Sequence, residues 1–195
     1  MSANTSFPKF VFKNRRFIHI ATAVIPIPFK VYFEGTSTLL LWTVGFLLML
    51  AGIAFRIYTA GYLQGKHTTT TIIADHMCTS GPFAYIRNPL YLGNFIIGLS
   101  LAVAFNEWYG YLVFAIHYIG VYSILISYEE KFIAKKFGTA YAEYREHTRR
   151  LIPRLKPFKG GSRTAPDFKV GFWSEKYYFL ILLILFALLY FLFVN

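Results

Sequence analysis

The chain has a single cysteine, Cys78, and few charges: only 15% of its 195 residues are Asp, Glu, Lys or Arg, against about 25% in an ordinary soluble domain. The lone thiol excludes an intrachain disulfide and a cysteine-based zinc or iron–sulfur site. Histidine is sparse too. His19, His67, His76, His117 and His147 include no i,i+4 pair, so no metal site is expected. There is no GxSxG, no P-loop and no Rossmann fingerprint, which excludes a soluble-type nucleotide domain; any nucleotide must bind among helices. The first apolar run ends in Pro26 and Pro28 without a small-residue cleavage site, so a retained N-terminus is expected.

What the chain has in abundance is apolar surface: 56% hydrophobic and 20% aromatic residues, with a mean hydropathy of +0.46. Four segments are candidates to cross a hydrocarbon core, which takes roughly 17 to 25 helical residues: Thr38 to Leu63, Leu90 to Phe105, Trp108 to Tyr128 and Phe172 to Val194. A fifth, Phe17 to Phe33, is short and interrupted by its two prolines, and is expected to be a kinked helix. Asn106-Glu107 is so brief a connection that the segments it joins must form an antiparallel hairpin. The expected fold is all-α, an integral membrane protein with about five transmembrane helices, treated as one domain over 1–195.

Charge sets the expected orientation. Lys9, Lys13, Arg15 and Arg16 precede the first span, Lys66 and Arg87 fall in the second connection, and eleven Lys or Arg lie from Lys131 to Lys169. With five spans these share one side, which the positive-inside rule makes cytoplasmic. A net charge of +11 in so apolar a chain points to basic loops facing anionic lipid, and no nucleic-acid partner is expected. Two connections, 66–89 and 129–170, would then build a cytoplasmic cap. Ser80-Gly81-Pro82 marks a turn, and Pro89 suits the first turn of a helix. From Glu129 to Tyr144 the apolar residues keep helical spacing, with a break expected at Gly138.

Two constellations stand out for chemistry. Glu129-Glu130 places adjacent carboxylates at the end of a long apolar helix, where ionised acids need a cation or water. They are either bridged to Lys131, Lys135 or the C-terminal basic loop, or available to bind a polar group. Arg87-Asn88-Pro89-Leu90-Tyr91-Leu92-Gly93 combines an arginine, a helix-starting proline, an aromatic and a glycine where a span meets the interface. Each has a plain structural use, yet together at a helix N-terminus they suit an anionic group. Arg56, near the end of its span, is expected to snorkel, and His117 to hydrogen-bond a neighbouring helix.

The order of features is distinctive: Thr79-Ser80-Gly81-Pro82-Phe83, Arg87 to Gly93, a helical hairpin, Glu129-Glu130, then Phe137-Gly138, Tyr141, Tyr144 and Pro153. Across residues 76–155 this resembles the isoprenylcysteine carboxyl methyltransferase and phospholipid methyltransferase family. The resemblance implies S-adenosylmethionine as cofactor, giving S-adenosylhomocysteine, and a lipophilic or lipidated acceptor arriving from the bilayer, with no obligate protein partner. It implies that Arg87, Asn88, Pro89, Leu90, Tyr91 and Gly93 line the cofactor, that Glu129 holds its polar part with Glu130 beside it, and that His76, Met77, Cys78 and Phe83 enclose the adenosine end. Arg87, Glu130, Arg145 and His147 are the candidate catalytic residues, the arginines for a carboxylate acceptor and Glu130 or His147 as base for an amine.

Two departures bear on the acceptor. Asn88 stands where isoprenylcysteine enzymes usually have histidine, and Leu125 where they tend to have arginine. A prenylcysteine-like carboxylate and a phospholipid amine both remain open. The rival readings are an NADPH-dependent membrane reductase, which resembles the same C-terminal pattern, and a non-enzymatic membrane subunit. A prokaryotic inner membrane or an internal membrane fits the charge asymmetry.

Overall fold

The computed structural model describes residues 6–25, 27–28, 37–63, 77–161 and 164–194. Among them there are six helices and no strand: α1 Ser6–Val24, α2 Leu39–Tyr62, α3 Pro89–Phe105, α4 Trp108–Ile116, α5 Tyr122–His147 and α6 Phe168–Val194. A 3-10 turn at Gly81–Ala84 precedes α3, and a π-helical segment at His117–Val121 joins α4 to α5. The expected end of the first span at Phe33, the connection 66–76 and His76 lie outside the described residues.

Three of the described helical stretches are long and apolar enough to cross a membrane: Leu39–Tyr62, Trp108–His147, which Gly138 breaks, and Phe168–Phe193. The apolar α3 is shorter at 17 residues, about 25 Å. The 40-residue stretch has about twice the roughly 20 residues a hydrocarbon core takes. Its apolar part is 108–128, and charged residues begin at Glu129.

The first helix differs from expectation, beginning at Ser6 rather than Phe17. Its basic residues keep helical register with its apolar ones: Lys9 and Lys13 are exposed, while Val11 and Phe12 pack against Tyr122, Leu125 and Ile126 of α5. A charged flank can therefore be helical when its opposite face has a partner.

Helices α2 and α3 pack antiparallel through small residues. A Cβ on Gly45 would lie 2.7 Å from the Ser100 carbonyl oxygen, and one on Gly52 would lie 2.8 Å from Ile97 Cγ1. Such residues let crossing helices approach closely where lipid gives no hydrophobic drive to associate. Trp42 then locks α2 to α3 and α6, its ring edge-on to Phe105, Phe186 and Tyr190 at 5.7, 5.2 and 5.6 Å. Leu180, Ile181, Ile184, Leu188, Phe191 and Leu192 of α6 stay exposed, as a lipid-facing surface requires. Asn106, left-handed at φ 49°, caps α3 and turns the chain into α4, completing the hairpin.

The C-terminus of α2, the N-termini of α3 and α6 and the far part of α5 meet at one end of the bundle. Gly61 accepts from the Asp167 amide at 3.1 Å, and Ile86 bridges to Arg149. The Tyr144 hydroxyl donates to the Phe83 carbonyl at 2.6 Å. Gly138, at φ 50° and ψ −121°, breaks α5 within this cap. The described parts of the two connections expected to build a cap come together through backbone hydrogen bonds from Arg154 to Tyr85 and from Phe158 to Ala84, at 2.9 and 2.8 Å.

Candidate functional site

Neighbouring residues on an α-helix point about 100° apart, so Glu129 and Glu130 face different surroundings. Glu130 turns into the cap. Its Oε1 accepts from Arg87 Nε at 3.0 Å and Asn88 Nδ2 at 2.9 Å; its Oε2 accepts from Arg150 Nε and Nη2 at 3.1 and 2.8 Å. The side chain is 9% exposed. Burial by itself would push its pKa up, but the hydrogen bonds from Asn88, Arg87 and Arg150 outweigh burial and hold it below the usual carboxylate value. A carboxylate with four protein donors is largely spent on the fold.

Its partners are equally committed. Arg87 Nη1 donates to the carbonyls of Arg145, at 3.1 Å, and Thr148, two of the acceptors that the end of α5 leaves open. The Arg87 amide donates to the Arg149 carbonyl at 2.9 Å, and Asn88 Nδ2 also reaches the Arg150 carbonyl at 3.1 Å. Arg87, Asn88 and Glu130 therefore tie the entrance of α3 to the exit of α5.

Glu129 points elsewhere. It is half-buried, faces the Tyr91 hydroxyl, and lies in the field of Arg15 on α1. Arg15 itself sits 4.0 Å over the Phe12 ring and donates to the Phe12 carbonyl. Tyr91 is buried against Tyr122, with ring centroids 5.1 Å apart. Pro89 starts α3, buried, and Leu90 is half-buried behind it. Gly93 backs onto Arg56: a Cβ there would overlap the arginine's Cγ.

The segment expected at an adenosine end lies on the neighbouring side of the cap. Phe83 is buried and Met77 half-buried; Cys78 Sγ lies 3.6 Å from the Tyr62 carbonyl oxygen, and burial pushes its thiol pKa up. Between them Thr79 to Pro82 lines a cleft of about 740 Å³, with Tyr58 and Tyr62 of α2 and Phe158 of the loop after α5. Thr79 Oγ1 is buried there without a hydrogen-bond partner. Gly81 holds a left-handed turn, φ 57°, against the Tyr62 ring, a conformation glycine adopts without strain.

Arg145 and His147 are exposed on the outer side of α5. Arg145 lines a shallow depression with Gly138 and Tyr141, and His147 faces the Glu143 carbonyl at 2.9 Å and the Phe158 ring at 5.7 Å. The structure thus joins Arg87, Asn88 and Glu130 in one network, sets Tyr91 beside Glu129, and leaves the side chains of Arg145 and His147 outside both, Arg145 joining only through its carbonyl.

Two sequence expectations meet specific outcomes inside the bundle. Arg56 does not snorkel: Nη2 pairs with Glu175 Oε1 of α6 at 2.6 Å, the two side chains being 11% and 8% exposed. The carboxylate that takes it lies 119 residues away in the chain. His117 does bond a neighbouring helix, its Nε2 lying 2.9 Å from His19 Nδ1 and its Nδ1 2.9 Å from Thr22 Oγ1. Arg150 and Arg15, which hold or face the two glutamates, went unselected in the sequence; no local signal separates them from the many basic residues around them.

Comparison with known proteins bears on this arrangement. The phospholipid methyltransferase family matches residues 40–140. The chain is 31% identical over 123 residues to cobalt-zinc-cadmium resistance protein CzcN of Cupriavidus metallidurans, covering 63% of this chain and 54% of that one. It is 26% identical over 122 residues to nickel-cobalt-cadmium resistance protein NccN of Alcaligenes xylosoxydans xylosoxydans, again covering 63% and 54%. It is 32% identical over 82 residues to protein-S-isoprenylcysteine O-methyltransferase of Schizosaccharomyces pombe, covering 42% and 35%. The chain spans about half the length of the first two relatives and about a third of the third. No solved structure matches it significantly.

Proposed function

Because the chain belongs to the phospholipid methyltransferase family, we propose that it transfers a methyl group from S-adenosylmethionine to a lipophilic acceptor that enters from the bilayer, at the cap formed by 77–89 and 129–164. The observation that carries this reading is the division of labour between adjacent acids. Glu130 is held by four donors of Asn88, Arg87 and Arg150, whereas Glu129, half-buried, faces the Tyr91 hydroxyl with Arg15 nearby. A network built solely for stability has no need of the second carboxylate.

The residues present fit the cofactor. Glu129 offers a carboxylate to its ammonium, and the aromatic cleft between Tyr58, Tyr62 and Phe158 has room for a nucleoside, with Thr79 Oγ1 as a buried polar atom in need of a partner. Met77 and Cys78 precede, and Phe83 follows, the cleft-lining stretch Thr79 to Pro82, and Tyr91, in the first turn of α3, faces Glu129. When bound, the sulfonium supplies an activated methyl group for in-line displacement, a step that disperses charge and needs no covalent intermediate. What the chain supplies is orientation and exclusion of water. In this reading Arg87, Asn88 and Glu130 are positioning residues that fix the ends of α3 and α5, and Gly93 serves the packing of α3. Arg145 and His147 lie at the outer rim, where they would meet the polar end of an acceptor.

A lipophilic acceptor suits a site at the end of helices whose apolar faces stand open to lipid. The capped end is assigned to the cytoplasm on the charge asymmetry of the loops. The acceptor remains a lipid-like carboxylate or amine, with Asn88 and Leu125 departing from the prenylcysteine pattern.

The test is calorimetric binding of S-adenosylhomocysteine to the detergent-purified chain, with NADPH as the competing ligand. Micromolar binding of S-adenosylhomocysteine, lost in Glu129→Gln, is the expected result. Binding of NADPH alone would replace this reading with a reductase, and binding of neither would sink it.

A further inference from the structure

Arg56 and Glu175 form an ion pair inside the bundle, on helices that cross the membrane. Taking two charges out of water is costly even when they pair, and ionisable residues within a span point by default to function. Glu175 belongs to α6, beyond residues 40–140 that the family matches. An α2-to-α6 staple would account for the pair and for the Tyr178 ring of α6, which lies 5.1 Å from the guanidinium, yet the hydrogen bonds Arg56 makes besides the pair go to the beginning of α3.

Those contacts are specific. Arg56 Nη1 donates to the Leu90 carbonyl at 3.4 Å and to Asn94 Oδ1. Its aliphatic stem occupies the space that a Cβ on Gly93 would need. Leu90, Gly93 and Asn94 are spaced i, i+3 and i+4, so they form one face of α3, and that face is given over to Arg56. Asn94 also lies beside the Tyr122 hydroxyl of α5. Tyr122 packs against Tyr91 with ring centroids 5.1 Å apart and interplanar angle 70°, and the Tyr91 hydroxyl faces Glu129.

We propose that Arg56 and Glu175 are positioning residues for the cofactor site: through Asn94, Tyr122 and Tyr91 the C-terminal helix α6 sets the first turn of α3 and the orientation of Glu129. The inference rests on reading Glu129 as the cofactor's carboxylate. It makes α6 part of the working site rather than an added membrane anchor. It also gives Gly93 a physical role, making room for the arginine and touching no ligand.

The experiment compares the full chain in detergent with Glu175→Gln, Glu175→Asp and Asn94→Leu, measuring S-adenosylhomocysteine affinity by calorimetry and helicity by circular dichroism. Asn94→Leu is the decisive variant, because it cuts the relay and leaves the Arg56 to Glu175 pair in place. Expected are unchanged helicity, a loss of affinity of about tenfold in Glu175→Gln and Asn94→Leu, within the usual range of coupling between sites, and partial recovery in Glu175→Asp. Wild-type binding with Asn94→Leu within twofold of it overturns the inference and leaves the proposed function standing. Absence of binding in the wild type overturns both.

Discussion

Arg150 approaches Glu130 with two donors of one guanidinium, Nε and Nη2, at 3.1 and 2.8 Å on the same oxygen. Arg87 and Asn88 take the other oxygen from the opposite side. The carboxylate just past the crossing part of α5 is therefore the joint at which the entrance to α3 and the loop after α5 are fastened together.

Removing that joint should cost more than an ordinary surface pair. Glu130→Ala leaves Arg87, 10% exposed, without its charge partner, and breaking a buried pair typically costs roughly 3 to 5 kcal/mol. Arg150 is 42% exposed and can turn to water, so about 3 kcal/mol is expected here, with a smaller loss in Glu130→Gln. Unfolding of the detergent-solubilised protein measures it. A loss below about 1 kcal/mol would place Glu130 among weakly contributing surface pairs.

The same residue predicts a pH dependence. Its folded pKa is depressed relative to the ordinary carboxylate, so its contribution is fully present above the unfolded pKa, near 4.5, and is lost as pH falls through the still lower folded value. The stability difference between wild type and Glu130→Gln should therefore be constant from neutral pH down to about 5 and shrink on further acidification. A difference that grows on acidification would contradict the network.

Gly138 should resist substitution for backbone reasons alone. Its φ of 50° with ψ of −121° is a conformation reserved for glycine, and a Cβ there would meet no atom within 4 Å. Gly138→Ala is expected to cost about 1 to 3 kcal/mol and to loosen the helix that carries Tyr141 and Tyr144. Hydrogen exchange across 139–148 reads this directly; protection equal to wild type would mean that the break is not fixed by the glycine.

Tyr144→Phe removes the donor to the buried Phe83 carbonyl. An unsatisfied buried acceptor costs roughly 1 to 3 kcal/mol. The loss should appear as faster proteolysis within 77–88, while the apolar crossing helices keep their melting behaviour.

Cys78 offers a labelling test. Burial raises its thiol pKa, so the reactive thiolate is scarce at neutral pH and maleimide labelling should be slow there and faster at alkaline pH. Under the proposed function, S-adenosylhomocysteine should slow labelling further. Unchanged labelling with the ligand at saturation would move the adenosine end away from this segment.

The sequence by itself determined the class of the protein, because apolar runs too long for a soluble core and loops of one charge sign answer to the bilayer, whose thickness and surface potential act on local composition. It also determined the break at Gly138, the turn at Asn106 and the start of α3 at Pro89, each set by the conformational range of one or two residues. Tertiary structure decided what the charged residues do. The sequence offered Glu129 and Glu130 as equals, and only the cap distinguishes them: Arg150, twenty residues on, and Arg87, forty-three residues back, close on Glu130, while Tyr91 turns to Glu129. Arg56 read as a snorkelling arginine until α6 brought Glu175 to it. Periodicity and composition act within a few turns of chain, whereas ion pairs in a low dielectric are chosen by whichever partner the packed helices bring within about 3 Å.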